Sequence, residues 1–437
     1  MSDSQSRRTA GISARLQLPR HVSFSVPLLR SSVPPPCSRG GHTLTALSDS
    51  LLLLFGGWQR EGSDESSTYY NDMKLLKLRP DATTFVWKDP PRSKGSYGSV
   101  PCARANHTLT RSGEHLILFG GCCARGASNL APESEECSAG KFNVLADSHA
   151  LKMSGSGWRW EPLAVSVGKL GEQPDARCGH SAVAVESGNK PGLIVFGGRA
   201  GDSTYYNSTH RLQLYGRAPS WAQLKPTGIP PAARAHHTAC LLAGGERIAV
   251  YGGITLSSEP RQGRGESNTD GADMARQLGD VWLLNLSPLY WERVALSESP
   301  IRSSHAAVGL APTGGDGCAD DELMVVFGGR AGRGRLNLVS VLVLPRAGHS
   351  DAGSASAGPR WSDALTAKDS ERARDGRASH AMAMLGGKIV VVGGYLGGDQ
   401  YVDSSEFICV ADVADVLRSA RLTPELSAPR APRAPRA

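Results

Sequence analysis

Apolar residues in this chain come in short runs, and six of those runs stop at a pair of glycines: LLLLFGG, LILFGG, LIVFGG, IAVYGG, LMVVFGG and IVVVGG. Each run is too short for a buried helix and unbroken by polar residues, which predicts a strand covered on both faces. A shorter stretch of alternating small and polar residues precedes each run. It begins at an Arg-x-x-His motif whose histidine lies 14 to 24 residues before the second glycine. After each glycine pair come a variable loop and a further strand-like segment: YYNDMKLLKL, LADSHALKM, YYNSTHRLQL, LGDVWLLNL, RLNLVSVLVL and SEFICVADV. Five of the six units then add a tryptophan segment: FVWKD, WRWEPL, SWAQL, YWERV and RWSDAL. Four short strands per unit predict one twisted antiparallel sheet. Such a sheet cannot bury both faces alone, so the copies must pack face to face around an axis.

The repeated positions are Arg39, His42, Gly56 and Gly57; Arg104, His107, Gly120 and Gly121; Arg177, His180, Gly197 and Gly198; Arg234, His237, Gly252 and Gly253; Arg302, His305, Gly328 and Gly329; and Arg377, His380, Gly393 and Gly394. Registered in this way, they resemble the kelch β-propeller family over about residues 20 to 413. The resemblance implies an all-β, six-bladed propeller with four antiparallel strands per blade. The mean spacing of the glycine pairs, about 67 residues, exceeds the roughly 50 of a kelch repeat. The excess lies in insertions at about 122–141, 257–277, 311–322 and 345–360, which read as mobile surface loops. The glycine pair is expected to end its strand, where positive φ is needed and side chains would collide.

The sixth repeat lacks a tryptophan segment, and HVSFSVPLL at the other end of the chain precedes PPPCSRGGH much as FVWKDP precedes VPCARANH. Residues 21–28 are therefore expected to be the outer strand of the last blade, with Phe24 in the tryptophan place, so that the ring has no open seam. The expected organisation is a disordered tail over 1–19, a propeller over 20–411, a short helix over 412–422 and a disordered basic tail over 423–437. Val413, Val416, Leu417 and Ala420 supply the helical spacing, and the tail repeats Pro every third residue, a polyproline II period.

Composition adds limits. The 437 residues include 51 Gly and 27 Pro without a collagen period, as turns between many short strands require. The net charge of +7 comes from arginines spread along the chain rather than clustered, a solvated surface rather than a nucleic-acid footprint. Nine cysteines form no C-x-x-C pair, so neither a zinc site nor any other metal is expected, and reduced thiols fit a cytoplasmic or nuclear protein. Arg7, Arg8, Arg15 and Arg20 resemble a mitochondrial presequence, but cleavage beyond about residue 20 would delete the closing strand. No apolar run approaches the roughly 20 residues of a membrane span. SGSGW and GRAGRG fail the spacing of phosphate- and dinucleotide-binding loops, so no cofactor is expected.

Six registered histidines suggest a metal ring, but each comes with an arginine at fixed spacing, which a recurring structural contact explains. A galactose-oxidase-like propeller enzyme would need a copper set of two Tyr, two His and a Cys–Tyr crosslink, to which nothing here points. No catalytic residue is assigned. Function is expected instead on the loop face, where the resemblance places the positions after each glycine pair and those between blades. The first are Trp58, Cys122, Arg199, Ile254, Arg330 and Tyr395; the second are Gly40, Asn106, Cys178, His236, Ser303, Ser304 and Ser379. GGRAGDS and GGRAGRGR add Arg333 and Arg335 near Arg199 and Arg330. That resembles the arginine pattern with which some kelch receptors hold acidic peptides or C-terminal carboxylates, and a guanidinium fork suits a carboxylate. The binding candidates are Trp58, Asn106, Arg199, His236, Ser303, Arg330, Arg333, Arg335, Ser379 and Tyr395, on a monomeric module that binds protein or peptide. The alternative is a substrate-recognition subunit of a ubiquitin ligase. Its elongin-type box is limited to Leu118 and Cys122, which fall across a strand, and this leaves the C-terminal helix as the docking element.

Overall fold

The computed structural model describes residues 21–25, 27–30, 33–60, 67–125, 135–136, 142–166, 172–186, 190–201, 203–257, 275–310, 321–345, 358–362, 365–368, 376–397, 400–402 and 408–419. Six antiparallel sheets stand around one axis as the blades of a propeller. Blade 1 holds Thr43–Ser48, Leu51–Arg60, Ser67–Leu78 and Thr84–Lys88, paired in that order from the axis outward. Blade 2 repeats the order with Thr108–Ser112, His115–Ala124, Phe142–Ser154 and Gly157–Pro162. Blade 3 has Ser181–Glu186, Pro191–Phe196, Thr209–Gln213 and Ser220–Leu224. Blade 4 has Thr238–Leu241, Arg247–Leu256, Ala275–Leu286 and Leu289–Arg293. Blade 5 has Ala306–Leu310, Glu322–Phe327 and Leu338–Leu344, with Arg360–Trp361 and Leu365–Lys368 both on its outer edge. Blade 6 has Ala381–Leu385, Lys388–Val392 and Ile408–Asp412.

The core is not central but divided among the gaps between blades. Six apolar clusters each join two neighbouring sheets, and the last joins blade 6 to blade 1. This is why the second strands are apolar throughout, since a neighbour covers each face. In blades 1 to 4 the aromatic residue before the glycine pair meets the outer tryptophan of the next blade. Phe55 meets Trp160 at 5.0 Å, Phe119 meets Trp221 at 5.1 Å, Phe196 meets Trp291 at 4.9 Å and Tyr251 meets Trp361 at 4.7 Å. Phe24 takes the tryptophan's place against blade 5, 5.2 Å from Phe327 and 3% exposed.

The closing segment differs from a simple fourth strand. Among the described residues of the segment, Ser25 alone pairs with blade 6, exchanging both backbone bonds with Val410, each at 2.9 Å. His21–Ser23 runs parallel to Leu365–Lys368 of blade 5, and Leu28–Leu29 runs parallel to Thr84 and Phe85 of blade 1. Pro27 has no N–H with which to continue a ladder on blade 6. The segment therefore crosses the outer rim and stitches three blades together. The glycine pairs also do not always end a strand. In blades 1 and 4 the second strand continues through them with a shift of register, and in blade 2 it runs on to Ala124. In blades 3, 5 and 6 it stops at Phe196, Phe327 and Val392, and a short separate hairpin follows. Both glycines have positive φ in every blade. That turn redirects the ladder, and the length of the following loop decides whether pairing resumes in the same sheet.

A helix, Val413–Ser419, ends the described chain, with Val413, Val416 and Leu417 buried in the cluster that holds Val22 and Phe24. The apolar side expected to dock a partner is thus already covered. No helix among the described residues is long and apolar enough to cross a membrane. Most of each insertion and both expected tails lie outside the described residues.

Candidate functional site

Two hydrogen-bonded rings surround the axis and account for the repeated residues. The second glycine of each pair donates its N–H to the carbonyl of the next blade's arginine, from Gly57 to Arg104 (2.9 Å) around to Gly394 and Arg39 (2.9 Å). Nearer the axis, the second variable residue of each Arg-x-x-His motif donates to its counterpart in the preceding blade. Asn106, Gly179, His236, Ser304, Ser379 and Gly41 form this closed circle, with N···O distances of 2.8–2.9 Å. All six have positive φ, between 53° and 65°. A non-glycine residue tolerates that conformation only where the surroundings over-determine it, and the circle of bonds does so here.

The arginines are buried, and each guanidinium donates to the carbonyl of the first glycine in its own blade, as Arg39 does to Gly56 at 3.0 Å and Arg104 to Gly120 at 3.0 Å. In blades 1, 2 and 4 an aspartate completes a bidentate pair: Asp72 with Arg39, Asp147 with Arg104, and Asp280 with Arg234. In blades 3 and 5, among the described residues, the hydroxyls of Ser208 (3.2 Å) and Ser340 (3.0 Å) stand in place of a carboxylate. The histidines are wedged between blades. The rings of His107, His180, His237 and His380 stand edge-on to the aromatic residue of the preceding blade, and Nε2 of His180 and His305 meets a strand threonine at 3.0 and 2.8 Å. Burial, and then the neighbouring arginine, pushes His42, His180 and His380 down to about 3, so they are neutral. A cavity of about 140 Å³ opens on the axis, lined by the residues of the inner circle and the six repeated histidines. Among the described residues, no group of three or more His, Cys, Asp or Glu is arranged to hold a metal.

Three of the expected binding residues, Asn106, His236 and Ser379, line this cavity, and those after the glycine pairs are bridged to the loops that surround it. The residue after each glycine pair forms a backbone bridge with the first variable residue of the same blade's Arg-x-x-His motif: Trp58 with Gly40, Cys122 with Ala105, Arg199 with Cys178, Ile254 with Ala235, Arg330 with Ser303 and Tyr395 with Ala378. Arg335 lies over the Tyr395 ring at 4.7 Å, and Tyr401 joins Tyr395 (5.2 Å) to Trp58 (6.0 Å). The Arg330 guanidinium is held below its ordinary range, by burial first and then by the like charge of Arg335. His236 lies on the axis against Gly179, and burial followed by Arg199 and Arg330 pushes it down to about 3. Asn106 and Ser379 line the same cavity.

Two candidates stand apart. Ser303 is buried, and its hydroxyl accepts from Gln277 at 3.0 Å; Ser304 takes the axial place instead. Arg333 is exposed, and only its carbonyl is engaged, by Arg335 at 2.9 Å. Tyr401 and Gln277 went unread in the sequence because neither holds a repeated position: Gln277 ends the insertion at about 257–277, and Tyr401 lies in the variable loop after the sixth glycine pair. Leu118 and Cys122 share the strand His115–Ala124, so no helical box exists there.

The profile of the KLHDC2/KLHL20/DRC7 Kelch-repeats domain matches residues 138–394. The chain belongs to the kelch-repeat family. This kelch propeller is 30% identical over 235 residues to putative adagio-like protein 2 of Oryza sativa subsp. japonica, covering 51% of this chain and 31% of that protein. It is 28% identical over 231 residues to host cell factor 2 of Homo sapiens, covering 52% of this chain and 26% of the relative. The chain thus spans about a third or less of these relatives. Among solved structures, that of YjhT superposes with a TM-score of 0.52 over 87% of this chain and 99% of its own at 13% identity, a likeness of fold.

Proposed function

We propose that this kelch propeller is a non-catalytic protein- or peptide-binding module whose ligand is an acidic peptide or a C-terminal carboxylate held at the axial mouth. The observation that carries the reading is the Arg330–Arg335 pair. The Arg335 guanidinium lies over Tyr395, and Arg330 is near enough to feel its like charge. Among the described residues neither is paired with a carboxylate. Like charges held together repel, and an anionic ligand removes that penalty while gaining bidentate hydrogen bonds. Trp58, Tyr395 and Tyr401 offer flat apolar surface beside the cations for a neighbouring side chain.

The test is fluorescence anisotropy with labelled peptides carrying either an acidic segment or a free C-terminal carboxylate, each against a neutral amide control. Charge-assisted hydrogen bonds contribute about 1.5–3 kcal/mol each, so Arg330→Glu with Arg335→Glu should weaken binding by at least about tenfold. Arg333→Glu alone should have a smaller effect. Equal binding by wild type and the double variant would overturn the proposal.

A further inference from the structure

Strand His115–Ala124 carries two adjacent cysteines, and neighbouring residues of a strand face opposite sides. Each of these thiols meets a second one. Cys123 packs with Cys102, from the segment leading into blade 2, and with Leu145, and the two thiols share a hydrogen bond. Cys122 packs on the other side with Cys178 of blade 3 and is hydrogen-bonded to it in the same way. All four are thiols in this structure.

The two pairs differ in their polar contacts: Cys122 accepts from Asn106 and donates to the Ala105 carbonyl, whereas Cys102 meets a cation. Nη2 of Arg104 donates to Sγ of Cys102 at 3.2 Å, while Asp147 holds the same guanidinium through two bonds of 2.7 Å. A cation fixed against a sulfur favours the thiolate, which is the nucleophilic form. Cys102 is accordingly pushed down to about 7, by the Cys123 hydrogen bond first and with Arg104 contributing, against the opposing effect of burial. Cys123 is raised, which keeps it the protonated donor of the pair. Among the described residues no guanidinium hydrogen-bonds Cys122, whose thiol is raised by its Cys178 hydrogen bond and by burial, against a smaller opposing effect of Arg199. Access points the same way, since Cys102 is 7% exposed and Cys123 is 0% exposed.

We propose that Cys102 and Cys123 form an oxidisable dithiol, with Cys102 the reacting thiolate and Cys123 the resolving thiol, and with hydrogen peroxide as the oxidant. The Cys102 sulfur attacks one peroxide oxygen, the O–O bond breaks, and hydroxide leaves with the electron pair and is protonated to water. The sulfenic acid on Cys102 is then attacked by Cys123 sulfur; the S–S bond forms, the S–O bond breaks, and the hydroxyl leaves as a second water with the Cys123 proton. Two thiols are oxidised by two electrons, and one peroxide becomes two waters. The bond pins the segment leading into blade 2 to the strand that carries Cys122 at the mouth.

The experiment uses the full chain with Cys37→Ser, which removes the exposed thiol. The reduced protein is treated with hydrogen peroxide, alkylated and mapped by mass spectrometry. The peptide holding Cys102 should become linked to the one holding Cys122 and Cys123. The link should persist in Cys122→Ser and vanish in Cys123→Ser, where dimedone should instead label Cys102. Cys240, buried and without a cation, should oxidise at least about tenfold more slowly than Cys102. A link that survives Cys123→Ser, or a Cys102 that takes neither link nor dimedone, would refute the dithiol.

Discussion

Ser208→Asp should stabilise the propeller. Register places Ser208 where three other blades carry the aspartate. Asp72, Asp147 and Asp280 each precede the residue that pairs with, respectively, Phe55, Phe119 and Tyr251, and Ser208 likewise precedes Thr209, which pairs with Phe196. Arg177 is 0% exposed, and its Nη2 finds no hydrogen-bond partner among the described residues. Burial pushes its guanidinium down to about 10 from 12.5. A base whose folded value lies below its unfolded value destabilises the fold at every pH below the folded value, and the penalty fades as pH rises through that interval. At about 1.4 kcal/mol per unit, the penalty at neutral pH is on the order of 3 kcal/mol. A bidentate carboxylate should recover about 2 kcal/mol of it after its own desolvation. For a propeller of this size unfolding as one unit, that is a rise in Tm of roughly 2–3 °C. Differential scanning calorimetry at pH 7.5 measures it, and Ser208→Asn is the control with shape but no charge. A melting temperature that is unchanged or lowered in the aspartate variant, or raised equally by asparagine, would refute the reasoning.

Other outcomes follow from the same geometry. Phe24→Ala removes a 3%-exposed ring from its stack on Phe327, and deletion of residues 1–30 removes the Ser25–Val410 bridge as well. The point variant should lose about 3–5 kcal/mol in urea unfolding, the truncation at least as much, and a truncated protein that melts like the full chain would refute the closure. Gly121→Ala would bring a methyl to 2.7 Å from His107 Cβ and 2.8 Å from the Ala105 carbonyl, whereas an alanine at Gly332 would meet nothing within 4 Å. Thermal melts should show a large drop for the first and a small one for the second, which retains only the strain of positive φ. Asp147→Asn leaves Arg104 buried beside a neutral amide, and a loss of about 3–5 kcal/mol is expected, read as a lower urea midpoint. The Asp147 carboxyl is held well below its usual range, the bonds from Arg104 and His149 outweighing burial. A lowered acid contributes stability above its unfolded value and loses it as pH falls, so the wild-type advantage over Asp147→Asn should shrink steadily below about pH 4.

The sequence alone determined the number of blades and their strand order, because each blade repeats one pattern of polar, apolar and glycine positions. It also located the closing aromatic, since Phe24 precedes Arg39 of the following blade at nearly the spacing by which Trp87 precedes Arg104. The roles of the repeated Arg, His and Gly became legible only in three dimensions, because the glycine and histidine partners lie one blade away in the ring and the arginine's aspartate lies on a later strand of its own blade. Unequal insertions likewise separate Arg330, Arg335, Tyr395 and Tyr401 along the chain, and ring closure brings them to one mouth. Which inter-blade serine faces the axis was also decided there. Ser303 and Ser304 are adjacent in an identical local pattern, but the hydrogen-bonded circle turns Ser304 to the cavity and leaves Ser303 to Gln277. A repeat can be read from its spacing, whereas a site made from departures between repeats depends on which departures the closed ring sets side by side.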